Sequence, residues 1–167
     1  MNTERKYILD RQTAAMKLER MAYEMAEQLV GEKEPIILAG IKDNGVVMAR
    51  ALAKLVKSIA GIDSQIIEVG LDKRNPGPVE LNGHSDFSGR TVVMVDDVTN
   101  SGKTLLYALR PFLDGYPKKI QILTLIERTH KEFPVKADYV GVSIATTLQD
   151  HIYVEVEGDD LSGAYME

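Results

Sequence analysis

An unbroken apolar run, Val92-Val93-Met94-Val95, that stops on two adjacent carboxylates, Asp96 and Asp97, restricts the fold of this chain more than any other feature. β-Branched and apolar side chains without polar alternation make a strand buried on both faces, which calls for a parallel sheet with helices on each side. Thr99, Asn100, Ser101, Gly102, Lys103 and Thr104 come next, and Leu105, Leu106, Ala108, Leu109 and Phe112 then supply the apolar positions of a helix. Backbone N–H groups of a loop at a helix N-terminus converge on an anion such as a phosphate. Two carboxylates at the end of the strand accept hydrogen bonds from neighbouring hydroxyls, as the diol of a ribose offers. Strand, acid pair and loop together predict a site for a phosphorylated sugar.

Ser101-Gly102-Lys103-Thr104 also resembles the end of a nucleotide-hydrolysing P-loop, but the spacing excludes it. That motif needs a glycine five positions before Gly102, where this chain has Asp97, and a carboxylate there repels the phosphates the loop would wrap. Helix capping by the two aspartates is the plainer alternative. It gives no reason for Asp-Asp, Thr, Ser, Gly and Thr in one register.

The 167 residues fit a single domain spanning 1–167, large enough to bury a core without disulfides, and the chain has no cysteine for a disulfide or thiolate metal site. A net charge of −5 argues against a globally basic, nucleic-acid-coating surface. No segment has the length of a signal peptide core or a membrane span, so a cytoplasmic location is expected. Helix and strand signals alternate without an internal repeat, which favours a parallel α/β sheet. Leu18, Met21, Ala22, Met25, Ala26 and Leu29 mark an amphipathic helix between Thr13 and Gly31. Residues 35–39 read as a strand, 40–45 as a turn and 46–57 as a helix. Further strands are expected at 65–69, 119–126, 139–144 and 152–156, giving a sheet of five or six.

Residues 71–90, dense in Gly, Pro, Asn, Asp and Ser, read as a hairpin or a mobile flap. The last ten residues read as a tail that frays unless Tyr165 packs into a subunit contact. Loops at the carboxyl edge of such a sheet share one crevice. One of them, Gly40 to Gly45, brings two glycines for close backbone approach and Lys42 as a cation for phosphate. Asp43 opposes an anion there unless it points at a bound Mg2+ or away from the site.

Residues 92–104 resemble the phosphoribosyl pyrophosphate (PRPP) signature of type I phosphoribosyltransferases. Residues 7–10, 24–25, 37–42, 127–141 and 159–160, in that order, narrow the resemblance to the bifunctional pyrimidine-operon attenuator and uracil phosphoribosyltransferase family, over nearly the whole chain. The resemblance implies a Rossmann-like parallel sheet flanked by helices, with a flexible flap and a small hood. It implies transfer of the phosphoribosyl group from PRPP to a nucleobase, uracil, giving the nucleotide monophosphate UMP and pyrophosphate with Mg2+, in a homodimer or homotetramer. By this carry-over Asp96 and Asp97 are catalytic and hold the ribose hydroxyls, while Thr99, Asn100, Ser101, Gly102, Lys103 and Thr104 surround the 5′-phosphate. Ile41, Lys42, Asp43, Asn44 and Gly45 receive pyrophosphate. Arg128, Ile144, Ala145 and Thr146 lie near the base. Pyrimidine and purine transferases share the sugar-phosphate site, so uracil rests on the resemblance alone.

The chain also departs from the family pattern. Asn44 stands where an arginine is usual and Asp43 where a threonine is, which weakens the grip on pyrophosphate. Thr99-Asn100 replaces a frequent Leu-Tyr, and the flap is short and contains Asn75-Pro76-Gly77-Pro78. A regulator of this family binds messenger RNA through its first helix, but Ala15, Met16, Glu19 and Tyr23 stand where relatives tend to have Arg, Arg, Thr and His. Arg20 is the clearest match, and a glutamate facing phosphates costs affinity, so RNA binding is disfavoured. His84, His130 and His151 are too widely spaced for a transition-metal site. Asp159 and Asp160 read as an exposed acidic turn.

Overall fold

Strand β1 (Lys6–Leu9) leads into helix α1 (Arg11–Leu29), whose start is set by Asp10. The Asp10 carboxylate accepts the Thr13 N–H at 2.7 Å, satisfying one of the donors that a helix start leaves unpaired. Strand β2 (Ile36–Ile41), helix α2 (Asn44–Ala60), strand β3 (Ser64–Gly70) and the short strand β4 (Glu80–Asn82) follow. The apolar run becomes β5 (Thr91–Thr99), and after it come two short helices, α3 (Lys103–Ala108) and α4 (Arg110–Leu113). Strands β6 (Lys119–Arg128), β7 (Tyr139–Ile144), β8 (Ile152–Glu157) and β9 (Asp160–Met166) complete the chain. This is a computed structural model, and it describes residues 4–83, 86–147 and 149–167. His84 lies outside the described residues.

The main sheet has six strands in the order β4-β3-β2-β5-β6-β7, all parallel except β4. β5 pairs with both β2 and β6, so Val92 to Val95 are fully buried as their composition demands. One core lies on the α1–α2 face, with Met21, Met25, Leu38, Leu52, Val93 and Val95. The other lies beneath α3 and α4, with Ile37, Met94, Leu105 and Phe112. Gln28, Gln121 and Tyr139 tie α1 to β6 and β7, since the Tyr139 hydroxyl donates to Gln121 at 2.8 Å and the Gln121 amide donates to Gln28 at 2.9 Å. Burial pushes the Tyr139 hydroxyl up to about 12, so it stays a donor.

The structure corrects three expectations. The helix after Thr104 is divided in two, because Pro111 has no N–H to continue the ladder. The strand at residues 152–156 is β8, but it belongs to a separate three-stranded sheet in the order β1-β9-β8, and β4 takes the sixth place in the main sheet. The last ten residues do not fray: β9 is the middle strand of that small sheet. Gly158 and Asp159 form the two-residue loop of a tight hairpin between β8 and β9. Tyr165 is buried within the chain, its ring 5.9 Å from Tyr7 and 5.3 Å from Tyr153, with the Arg5 guanidinium 4.4 Å above it.

The first part of the segment 71–90 takes the hairpin form, because β4 pairs antiparallel with β3. Beyond β4 the segment is anchored by Phe87, which is 3% exposed and packs with its ring tilted against that of Phe112, 4.7 Å between centroids. Replacing Phe87 with alanine is expected to cost ~3–5 kcal/mol of unfolding free energy, measured by urea denaturation. A change within the ~0.5 kcal/mol typical of a surface site would show that Phe87 does not anchor the segment.

Candidate active site

The carboxyl ends of β2 and β5 and the small sheet above them enclose the site. Asp96 is 2% exposed at the end of the buried run, and its Oδ1 accepts the Asp97 backbone N–H at 2.9 Å. Asp97 Oδ1 accepts the Val98 N–H at 2.8 Å. Lys73, from the stretch between β3 and β4, reaches both acids: its Nζ lies 3.5 Å from Asp96 Oδ1 and 3.9 Å from Asp97 Oδ1. Burial, then the neighbouring Asp97 charge, pushes the Asp96 carboxyl up to about 8 against the opposing pull of Lys73. Burial by itself would lower Lys73, but the two carboxylates outweigh it and hold the ammonium above its ordinary value.

The strand runs further than its apolar run suggests. β5 continues past the acids to Thr99, which pairs with Glu127 of β6, so the connecting loop is only Asn100 to Gly102. Gly102 adopts φ +86, a left-handed conformation that favours glycine, and an added Cβ would meet Val135 at 2.5 Å. The Ser101 carbonyl accepts N–H groups of Glu132 and Phe133, both at 3.0 Å. In a trans peptide this turns the Gly102 N–H the opposite way, into the cleft that Gly102 lines. Thr99 Oγ1 is buried without a hydrogen-bond partner. Lys103 makes no salt bridge among the described residues. All six predicted phosphate residues, both acids and Lys73 line one cleft of about 300 Å³.

A second cavity of about 310 Å³ adjoins this cleft and shares Asn100 and Ile152 with it. Arg128 lines it and donates to the Asp150 carbonyl, while its Nε is buried without a partner. Of the other residues predicted near the base, Ile144, Ala145 and Thr146 line neither cavity. Asp150, His151, Ile152 and Tyr153 line the second cavity beside Arg128. His151 also closes the small sheet by exchanging backbone hydrogen bonds with Glu167 at 2.8 and 3.0 Å. Lys131 pairs with Glu127.

The predicted pyrophosphate loop divides. Ile41 is buried in β2, Asp43 is exposed, and Lys42 lies 4.0 Å from Glu68. Gly45 is pressed on β5: a Cβ there would meet the Val95 carbonyl at 2.5 Å. Asn44 alone reaches the acids, donating from Nδ2 to Asp97 Oδ2 at 2.9 Å and to the Val154 carbonyl at 3.0 Å. Lys73 and residues 150–153 escaped sequence reasoning. Lys73 lies in a polar stretch that reads as solvated loop, and only its contact with acids more than twenty residues away in the chain shows it as part of the site.

Comparison with known proteins gives one family. A family model described as the phosphoribosyl transferase domain matches residues 4–159. The chain is similar to the "Bifunctional protein PyrR" of Clostridioides difficile, 34% identical over 94% of this chain and 96% of that one. It is also similar to the protein of the same name from Bacillus pumilus, 35% identical over 95% and 96% of the two chains. Its fold resembles a hypoxanthine phosphoribosyltransferase of Trypanosoma cruzi, with a TM-score of 0.77 at 14% identity over 95% of each chain. A hypoxanthine-guanine phosphoribosyltransferase from Bacillus anthracis gives a TM-score of 0.70 at 22% identity over 83% of this chain and 82% of that one.

The buried acid pair has a pH signature. With its folded pKa raised to about 8, Asp96 holds a proton that the unfolded chain releases near 4. Stability therefore falls as pH rises between those values and levels off above them. Asp96→Asn removes this cost, so the variant is expected to melt higher than the parent, by roughly 2–4 °C for each kcal/mol relieved, and by more at pH 8 than at pH 5. Equal gains at both pH values, read from thermal melts, would contradict the shifted carboxyl.

Proposed function

The chain belongs to the type I phosphoribosyltransferase family, and from that premise we propose that it transfers the phosphoribosyl group of PRPP to uracil, giving UMP and pyrophosphate. The observation that carries this reading is the joining, in one cleft, of a buried acid pair, an unpartnered Thr99 hydroxyl and a loop with an inward N–H. Asp96 and Asp97 hold the ribose hydroxyls, and the loop from Thr99 to Thr104 holds the 5′-phosphate, with Lys103 as its cation. The adjoining cavity at Arg128 and residues 150–153 takes the base. Uracil is supported by the likeness of residues 127–141 to the uracil-specific family.

A nucleophilic side chain is not needed. The uracil N1 attacks the ribose C1 while the C1–oxygen bond breaks, its electron pair leaving with pyrophosphate and the N1 proton passing to pyrophosphate or water. Positive charge grows on the sugar ring and negative charge on the leaving group, so positioning and fixed dipoles carry the rate. Because Lys73 contacts both carboxylates, an incoming diol must share or displace its ammonium.

The donor set suits Mg2+. Carboxylate and hydroxyl oxygens are the hard ligands this ion prefers, and it is commonly bound through one or two carboxylates plus substrate phosphates. Held there, such an ion would supply charge neutralisation for the leaving pyrophosphate. Asp96 and Asp97 would hold it through the sugar hydroxyls.

Helix α1 offers little to RNA. Arg20 donates to the Val140 and Gly141 carbonyls at 2.9 and 2.8 Å and pairs with Glu24, so it is committed to the edge of β7. Ala15, Met16, Glu19 and Tyr23 are exposed around it. Nanomolar, salt-sensitive and UMP-dependent binding of its own pyrimidine-gene leader in a filter assay would reverse this preference.

Incubation with Mg2+, PRPP and each of uracil, hypoxanthine, guanine, xanthine, adenine and orotate is expected to yield UMP and pyrophosphate from uracil. Product from a purine alone would overturn the choice of base. Asp97→Ala is expected to weaken PRPP binding about tenfold or more, a loss of ~1.4 kcal/mol or more. Unchanged calorimetric affinity would remove the acid pair from the sugar site.

A further inference from the structure

We infer that Asn44 is a positioning residue that couples the base side of the site to the acid pair, an inference that rests on assigning Asp96 and Asp97 to the ribose hydroxyls. A carboxamide nitrogen carries two hydrogens, and Asn44 spends both on different parts of the fold. One goes to Asp97 Oδ2 at 2.9 Å and the other to the backbone carbonyl of Val154, in β8, at 3.0 Å. The start of α2, the end of β5 and the middle of β8 thus meet at a single NH2 group. With Oδ2 held by Asn44 and Oδ1 by the Val98 N–H, both oxygens of the Asp97 carboxylate are tethered and its plane is set. An amide does this without adding charge to the acid pair, as a lysine or arginine would.

The anchor is stiff on one side. Gly45, the next residue, packs so closely on the Val95 carbonyl that even a Cβ would clash at 2.5 Å, so the start of α2 moves only with β5. The other end of the link reaches the strand that carries Ile152 and Tyr153, both lining the second cavity. Asn44 therefore sets the height of the small sheet over the acid pair. That height fixes the distance between the base and the sugar carbon it attacks.

Misplacement of reacting groups by about 1 Å costs on the order of a hundredfold in rate. Asn44→Ala is accordingly expected to lower kcat by about ten- to a hundredfold with little change in the dissociation constant for PRPP. Hydrogen exchange supplies a readout that simple loosening of the fold does not mimic. In the parent, PRPP is expected to protect the loop 99–104 and also β8. In Asn44→Ala the loop stays protected, which shows that the variant is folded and binds, while the PRPP-induced protection of β8 is lost. Asn44→Leu, close to asparagine in shape, uncharged and without donors, is expected to give the same pattern. Protection of β8 retained in both variants, or an unchanged kcat, would overturn the coupling. No PRPP-induced protection of the loop in the parent would instead defeat the assignment of the sugar site.

Discussion

Everything at the carboxyl edge of the main sheet answers to the burial of Asp96. A carboxylate taken out of water is among the most unfavourable groups a fold can hold, and a second one next to it adds repulsion. This chain places the pair at the end of its central strand, where β2 and β6 flank it and Asp96 is almost wholly buried. The cost is met in part by backbone N–H groups of Asp97 and Val98, in part by the Lys73 ammonium and the Asn44 amide. Part of it remains, as the raised Asp96 carboxyl records. A site that still carries such a cost gains by taking up hydroxyl donors, so the same burial that weakens the free protein strengthens its hold on a diol.

Two structural devices follow from this constraint. The stretch between β3 and β4 must reach the end of β5 to deliver Lys73 to both acids. The small sheet of β1, β9 and β8 must also sit close enough for the Val154 carbonyl to meet Asn44. Both devices reach the acids through long-range contacts and both border the cleft, so binding at the acids bears on each of them.

Much of this was legible in the sequence where local chemistry decides structure. The run Val92 to Val95 could only be a doubly covered strand, and Asp96 to Thr104 could be read as acid pair and loop from residue types alone. The helices α1 and α2 followed from apolar spacing. What escaped depends on partners distant in the chain. β1 is four residues long with charged neighbours, so its pairing with β9 leaves no periodic signal. β9 hides in a sequence that resembles a polar tail, although the Gly158-Asp159 turn was there to be read as a hairpin. Asn44 reads as a missing cation in a phosphate loop, and only its distance to Asp97 shows it as a tether.

The most direct test of the acid pair as a diol clamp needs neither turnover nor a known base. Ribose 5-phosphate and 2,3-dideoxyribose 5-phosphate share the phosphate that the loop holds and differ only in the hydroxyls that Asp96 and Asp97 would bind. Calorimetric titration is predicted to show ribose 5-phosphate binding about tenfold tighter or more, a gap of ~1.4 kcal/mol or more, and the gap should close in Asp97→Ala. Equal affinities for the two sugars in the parent protein would contradict the account at its centre.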